Sequence, residues 1–363
     1  MLSPLDELPI HQVAETMATV GVSDRNFYDR CYFSMHGSTD EFFMAMGLGQ
    51  YPNLDVTDAF ICASYGDKQT VVRASRPLGL NRLDTKVGPL RVEVIEGLKK
   101  VRFVCEETDG FAVDAVWEGL VPAYEEPRMT MESAWGRQTM NTMRFLQTGT
   151  WTGSIMLDGK EIAVTPDRFG GSRDRSWGVR PVGEPEGGKA TMPSNGFYWN
   201  YFVVRFEKSS IVYMCQEDGL GRRTLEEGIR LHPDGRVEQL GRPSHSLRFQ
   251  PGTRMVTGAT VSFANGLELT GEAIRPVHLA RGTGYGFDPD WKHGMNQGDD
   301  LVVQRVDYDL ADPAMVPIPG AIVDHLGRYE TNQGDGEGWG LLEVMNMGPH
   351  PQYFQGWDDV FAG

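Results

Sequence analysis

The sequence is short of cysteine, basic charge, long apolar runs and helical signals, and each shortage removes a class of protein. Its four cysteines, Cys31, Cys62, Cys105 and Cys215, are too sparse and too widely spaced for a disulfide scaffold or a Cys-x-x-Cys zinc site. They read as buried free thiols. Lys and Arg number 34 against 50 Asp and Glu, a net charge of −16, which leaves no electrostatic footprint for nucleic acid or an anionic membrane. The same balance weakly favours a neutral or cationic substrate. No apolar run approaches the ~20 residues of a membrane-spanning helix. The first residues, Met1-Leu-Ser-Pro-Leu-Asp-Glu-Leu-Pro9, carry acids and prolines where a secretory signal places basic residues and an apolar run. The expectation is a cytoplasmic protein with no membrane span and no nucleic-acid partner.

What the chain has instead is turn chemistry. Hydrophobic residues make up 40%, enough for a core, and 44 glycines with 21 prolines exceed the usual share. Asp109-Gly110 separates the alternating runs 101–105 and 111–117, and Asp158-Gly159 separates 151–157 from 160–164. Pro233-Asp-Gly235 and Asn265-Gly266 do the same later. Asp-Gly and Asn-Gly suit the positive φ of two-residue hairpin turns, and strict alternation gives each strand one buried and one wet face. Helices are expected only within 5–20, where Pro4 and Pro9 confine the pattern to the later part, and as a turn or two within 125–138. Many short antiparallel strands point to barrels or sandwiches. A Gly- and Pro-rich stretch from Pro181 to Gly196 divides the chain into units 1–187 and 188–363, each the size of one barrel, with no visible repetition between them.

The densest cluster of unusual residues is Phe169-Gly-Gly-Ser-Arg-Asp-Arg-Ser-Trp-Gly-Val-Arg180. In extended form Arg173, Arg175 and Trp177 share one face, and Asp174 and Ser176 the other. One face must point inward, where a charge costs several kcal/mol unless paired. The cluster is then either a structural Arg–Asp network or a polar anchor and proton donor in an apolar cavity.

The run Arg-Asp-Arg-Ser-Trp-Gly-Val-Arg, arriving after Gln147-x-Gly149-x-Trp-x-Gly153-x-Ile and an Asp-Gly hairpin, resembles the AttH-like and carotenoid 1,2-hydratase (CrtC)-like families. Gly47-Leu-Gly49-Gln-Tyr-Pro-Asn53 resembles their Gly-rich strand entering the first barrel, and Gly338-Trp-Gly-Leu-Leu-Glu343 their closing strand. The resemblance implies an all-β chain of two consecutive lipocalin-like antiparallel barrels with few short helices. It also implies relatives among isoprenoid hydratases, cyclases and pericyclase-type proteins. The Trp-rich pattern of true carotenoid hydratases is not found, which argues against a carotenoid substrate.

In Phe197-Tyr-Trp-Asn-Tyr-Phe-Val-Val-Arg205, alternation places Phe197, Trp199 and Tyr201 on one face and Tyr198, Asn200 and Phe202 on the other. Such a strand belongs between two layers, as core packing or as an aromatic wall for a flat ligand. Of eight histidines none forms a metal-binding array, so no metal site is expected. His36, in Tyr32-Phe-Ser-Met-His36, and His325 are the histidines most suited to acid–base work near neutrality. Gly282-Thr-Gly-Tyr-Gly-Phe287 and Gly334-Asp-Gly-Glu-Gly-Trp-Gly340 lack a nucleotide-loop context and read as turns.

These readings converge on a cofactor-independent lyase of the hydratase or dehydratase kind, or an isomerase. Its substrate would be a hydrophobic aromatic or isoprenoid small molecule, held at a barrel mouth or between the barrels. Asp174, poised by Arg173 or Arg175, and His36 or His325 would move protons. Tyr32, Arg175, Trp177, Trp199 and Tyr201 would contact the substrate. A non-catalytic carrier of a hydrophobic ligand, or a pericyclase that only shapes its substrate, needs a similar cavity. No cofactor or metal is called for, and homodimerisation is left open.

Overall fold

The computed structural model describes residues 2–133, 135–187, 195–286, 288–316 and 320–361. Its strands form two antiparallel sheets, each curled into a half-barrel, so the fold is all-β as expected. In the first sheet Lys68–Pro77, Val56–Tyr65, Phe42–Tyr51, Phe27–His36, Gly170–Val179, Gln138–Leu157 and Phe111–Gly119 lie side by side. In the second, Ser210–Asp218, Phe197–Arg205, Gly338–Met347, Val323–Thr331 and Glu268–Val277 follow in that order. One strand of the second half, Val302–Asp309, crosses back and pairs along Lys68–Pro77, from Val302 opposite Ser75 to Asp309 opposite Lys68. The first sheet is therefore completed by the later half of the chain, and residues 188–194, where the sequence suggests a junction, lie outside the described residues.

Burial patterns show which strands meet the other sheet. Phe111–Gly119 and Pro243–Phe249 alternate between buried and accessible residues, as one-sided strands do. Phe42–Tyr51 is buried at every position, and Phe197–Arg205 at all but the last, because both faces are covered. The three largest groups of buried apolar residues accordingly form three layers. Phe33, Phe103, Trp117 and Trp151 fill the first half-barrel. Tyr198, Phe202, Tyr213 and Phe263 fill the second. Tyr32, Phe43, Phe60, Trp199, Tyr201 and Leu326 pack between the two. Trp117 and Trp151 meet edge to face with centroids 5.3 Å apart, and Trp151 Nε1 donates to the Ser34 carbonyl at 2.9 Å, so the barrel interior is closed by packing.

The hairpins follow the turn residues. Asp109 and Gly110 have φ of 51° and 83°, and Asp158 and Gly159 have 51° and 74°, the left-handed pairs that keep flanking strands in register. Both expected helices are corrected. Within 5–20 only the 3-10 turn Pro4–Glu7 extends, and the rest is irregular. There Asp6 accepts from the backbone N–H groups of Ser3 and Met17, each at 2.7 Å, which offers the chain a local alternative to helical bonding. In place of the second helix, Tyr124–Glu125 and Met129–Glu132 pair with the long strand Gln138–Leu157. Pro127 sits between these two short strands and supplies no N–H for a helix.

Candidate active site between the half-barrels

Strand register assembles the site. Tyr32 and Leu146 lie opposite Asp174 on the two strands that flank it, so all three face the second half-barrel. On the opposing wall Glu343 lies opposite both Tyr201 and Asp324. Period-two alternation thus brings Tyr32, Asp174, Trp199, Tyr201, Asp324 and Glu343 into one layer.

Two hydrogen-bonded groups occupy this layer. In the first, the Tyr32 hydroxyl donates to Asp324 Oδ2, and Trp199 Nε1 donates to Glu343 Oε1 at 2.5 Å. The Asp324 and Glu343 carboxyl groups contact each other, and burial pushes both upward; Glu343 pushes Asp324 further up, whereas the hydrogen bond from Asp324 pulls Glu343 back down, so the proton belongs on Asp324. Asp324 Oδ1 is buried and receives no donor from a described residue. A proton held between the two carboxyl groups satisfies that oxygen. In the second group Arg144 Nε meets Glu126 Oε2 at 2.5 Å, while the Tyr201 hydroxyl donates to Glu126 Oε1 at 2.7 Å. The Arg144 guanidinium lies over the rings of Tyr201 and Trp199, at 4.4 and 5.3 Å, and those rings stack at 5.6 Å.

Asp174 stands between the groups and belongs to neither: no described residue hydrogen-bonds to its carboxyl. Burial pushes that carboxyl up to about 7; Arg144 and Arg180 pull it down, while Glu126 and Glu343 push it further up. The residue nevertheless keeps accessible surface. A carboxyl that is both strongly desolvated and accessible faces a recess rather than bulk water. An open pocket of about 450 Å³ is lined by Met140, Arg180, Tyr285 and His293, among others. None of the layer's carboxyl groups lines this pocket, but two residues that do are within electrostatic reach of it: Arg180 acts on the Asp174 carboxyl, and the Tyr285 hydroxyl feels both Asp174 and Glu343.

The remaining residues singled out in the sequence lie elsewhere. Arg173 faces the interior of the first half-barrel and donates from Nε to Gln147 Oε1 at 2.9 Å. Arg175 shares that face and pairs with Asp29 at 2.9 Å, so the arginines nearest Asp174 in sequence do not hold it. Trp177 is 38% exposed, edge-on to Phe145. His36 is buried beside Trp339, and burial with Arg205 lowers it to about 3. His325 faces away from Asp324, lines a void of about 10 Å³ with Arg254 and Asn346, and is likewise lowered by burial to about 3. Both imidazoles are therefore neutral at pH 7.

Sequence reasoning missed Glu126, Arg144, Asp324 and Tyr285 as site residues. None has a local signature; Glu343 is visible only inside the closing-strand resemblance. The described residues also include one group of would-be metal ligands, Cys215, Glu217 and His245, whose ligand atoms lie within 4.8 Å of one another. Its donors are engaged: Glu217 by Arg223 and His350, each at 3.0 Å, and His245 by Tyr213 at 2.6 Å.

Fold and site together define an all-β protein with two lipocalin-like half-barrels enclosing an acidic, aromatic layer. A Nitrosomonas europaea structure carrying the AttH designation has the same fold, with a TM-score of 0.55 and 13% identity over 88% of this chain and 92% of that one. Kievitone hydratase from Nectria haematococca matches with a TM-score of 0.54 and 13% identity, over 90% of this chain and 92% of that one. The chain belongs to the family DUF8625, a family of unknown function whose model matches residues 2–355. No curated protein matches it.

Proposed function

We propose that the protein is a cofactor-independent lyase of the hydratase or dehydratase kind, acting on a hydrophobic aromatic or isoprenoid small molecule bound between the half-barrels. The observation that carries this reading is Asp174: an accessible carboxyl without a hydrogen-bond partner among the described residues, pushed up to about 7, beside a carboxyl pair whose Asp324 is pushed strongly toward its protonated form. A general base and a general acid with separated titrations are what elimination of water requires. In the dehydration direction Asp174 takes a proton from carbon, the C–O bond breaks, and the Asp324–Glu343 pair protonates the departing hydroxyl to water. Hydration reverses each transfer. Trp199, Tyr201 and Tyr285 wall the substrate, and their faces stabilise positive charge developing at carbon. The fold likeness to a hydratase agrees with this chemistry. The two histidines lie outside the layer and take no part.

The test is incubation of the protein with candidate metabolite extracts, followed by mass spectrometry for gain or loss of one water. Turnover by the wild type that disappears in Asp174→Asn supports the lyase. Ligand retention with no turnover, and unchanged retention in Asp174→Asn, would identify a carrier instead.

A further inference from the structure

Two arginines beside the pocket lack the partner that a guanidinium ordinarily takes. Among the described residues neither Arg30 nor Arg180 has a carboxylate oxygen within ion-pair distance, although the chain carries an excess of acids. Arg30 is 2% exposed. Its Nη1 donates to the Tyr51 hydroxyl at 2.8 Å, which in turn donates to Asp58 Oδ1 at 3.2 Å, while Nη2 is buried with no acceptor among the described residues. Leaving such an N–H unsatisfied costs more than an ordinary hydrogen bond returns. Gly47 lets Arg30 and Phe60 pack close against its strand: a Cβ there would sit 3.2 Å from Arg30 Nη2 and 2.6 Å from the Phe60 ring. Arg180 lines the pocket, lies 4.5 Å over the Tyr28 ring, and reaches His293 Nδ1 only at 3.5 Å. His293 Nε2 lies 3.0 Å from the Thr283 carbonyl, to which it donates, so its Nδ1 is an acceptor and adds no positive charge. The Tyr285 ring lies close to both cations, 5.1 Å from Arg30 and 5.7 Å from Arg180.

We propose that the substrate carries an anionic oxygen, a carboxylate or phenolate on a planar apolar skeleton, which docks at Arg180 and, with Tyr285 displaced, at the free Nη2 of Arg30. This names a substrate class for the inter-barrel site and rests on the reading of that recess as the ligand site. It reverses the weak preference for a neutral or cationic ligand drawn from net charge, because recognition depends on the charges in the recess. A guanidinium fork satisfies a carboxylate with two parallel bonds and stacks on an aromatic ring, so one ligand uses both cations and the displaced tyrosine. The anion would also lie near enough to Arg180 to reduce its pull on Asp174, which favours proton capture by that carboxyl.

Isothermal titration with 2-naphthoate and its neutral isostere 2-naphthamide tests the assignment. The acid should bind roughly tenfold or more tightly than the amide, as a charge-assisted pair requires. Arg180→Met should erase that preference while leaving amide affinity unchanged, and Arg180→Lys should keep part of it. Arg30→Met should reduce it as well; Arg180, being only partly buried, provides the variant that folds if buried Arg30 does not tolerate replacement. Equal affinity for acid and amide, or a preference that survives Arg180→Met, overturns the oxyanion assignment alone. If neither naphthyl compound binds, the recess is not a ligand site and both readings fall.

Discussion

The carboxyl groups of Asp324 and Glu343 face each other across neighbouring strands, and among the described residues neither has a cationic side chain in hydrogen-bonding contact. Tyr32 and Trp199 approach them as neutral donors, so a shared proton is the economical way to keep both in the low-dielectric layer.

That proton should be visible. Infrared difference spectra at pH 8 should show the C=O stretch of a protonated carboxyl, lost in Asp324→Asn, shifted in Glu343→Gln and retained in Asp174→Asn. A band that disappears in Asp174→Asn instead would move the proton, and the acid role, to the other carboxyl.

Asp174 should stabilise nothing by being ionised. Its folded titration, about 7, lies above the ordinary 3.8, so the folded state binds the extra proton and stability falls as pH rises between those values. Below pH 4 the carboxyl is neutral in both states and the term vanishes. At about 1.4 kcal/mol for each pH unit, Asp174→Asn should gain ~2–4 kcal/mol at pH 8 and nothing at pH 4, read by chemical denaturation. A variant that is more stable and inactive is the signature of a residue kept for function.

Much of the fold is legible in the chain, and the reason is local. The hairpins at Asp109-Gly110 and Asp158-Gly159 follow from φ preferences of two residues each, and the two-layer placement of 197–205 follows from alternation alone. The site is legible only where it shares a strand with a conspicuous motif, as Asp174 does. Arg144 and Glu126 are invisible because their pairing depends on how the irregular stretch after Tyr124–Glu125 returns along Gln138–Leu157. Arg173 misleads for a simple reason: adjacent residues in a strand face opposite layers, so the arginine nearest in sequence is not the one nearest in space.

Acid should unfold the protein through its histidines. Burial lowers His36 and His325 to about 3, and His245 and His278 to about 4, from an ordinary 6.5. In each case the unfolded chain binds the proton first, so stability present above pH 6.5 is lost as pH falls toward those values. His325→Leu removes one such group, whose Nδ1 is already buried without a partner among the described residues, and should lower the pH midpoint of acid unfolding followed by tryptophan fluorescence.

The rate of a turned-over substrate should follow a bell in pH. Proton capture needs Asp174 ionised, so kcat/KM rises through about pH 7; proton donation needs the Asp324–Glu343 proton, so it falls where that pair finally ionises. Glu343→Gln removes the charge that pushes both Asp174 and Asp324 up, so both limbs should move to lower pH.

The Arg144–Glu126 pair should be costly to break and cheap to delete. The Glu126 side chain is 2% exposed and Arg144 20%, so removing the arginine leaves a buried carboxylate with only the Tyr201 hydroxyl. Arg144→Met should therefore cost about 3–5 kcal/mol, whereas Arg144→Met combined with Glu126→Gln should recover most of it, because no unpaired charge remains. The double-mutant cycle, measured by denaturant titration, separates this from lost packing: if the second substitution recovers nothing, the arginine contributes through its contacts with Trp199 and Tyr201 instead. Asp174 gives an independent readout. Without Arg144, the larger of the two cationic influences on it, its titration should move above 7, and the acidic limb of the rate profile should move with it.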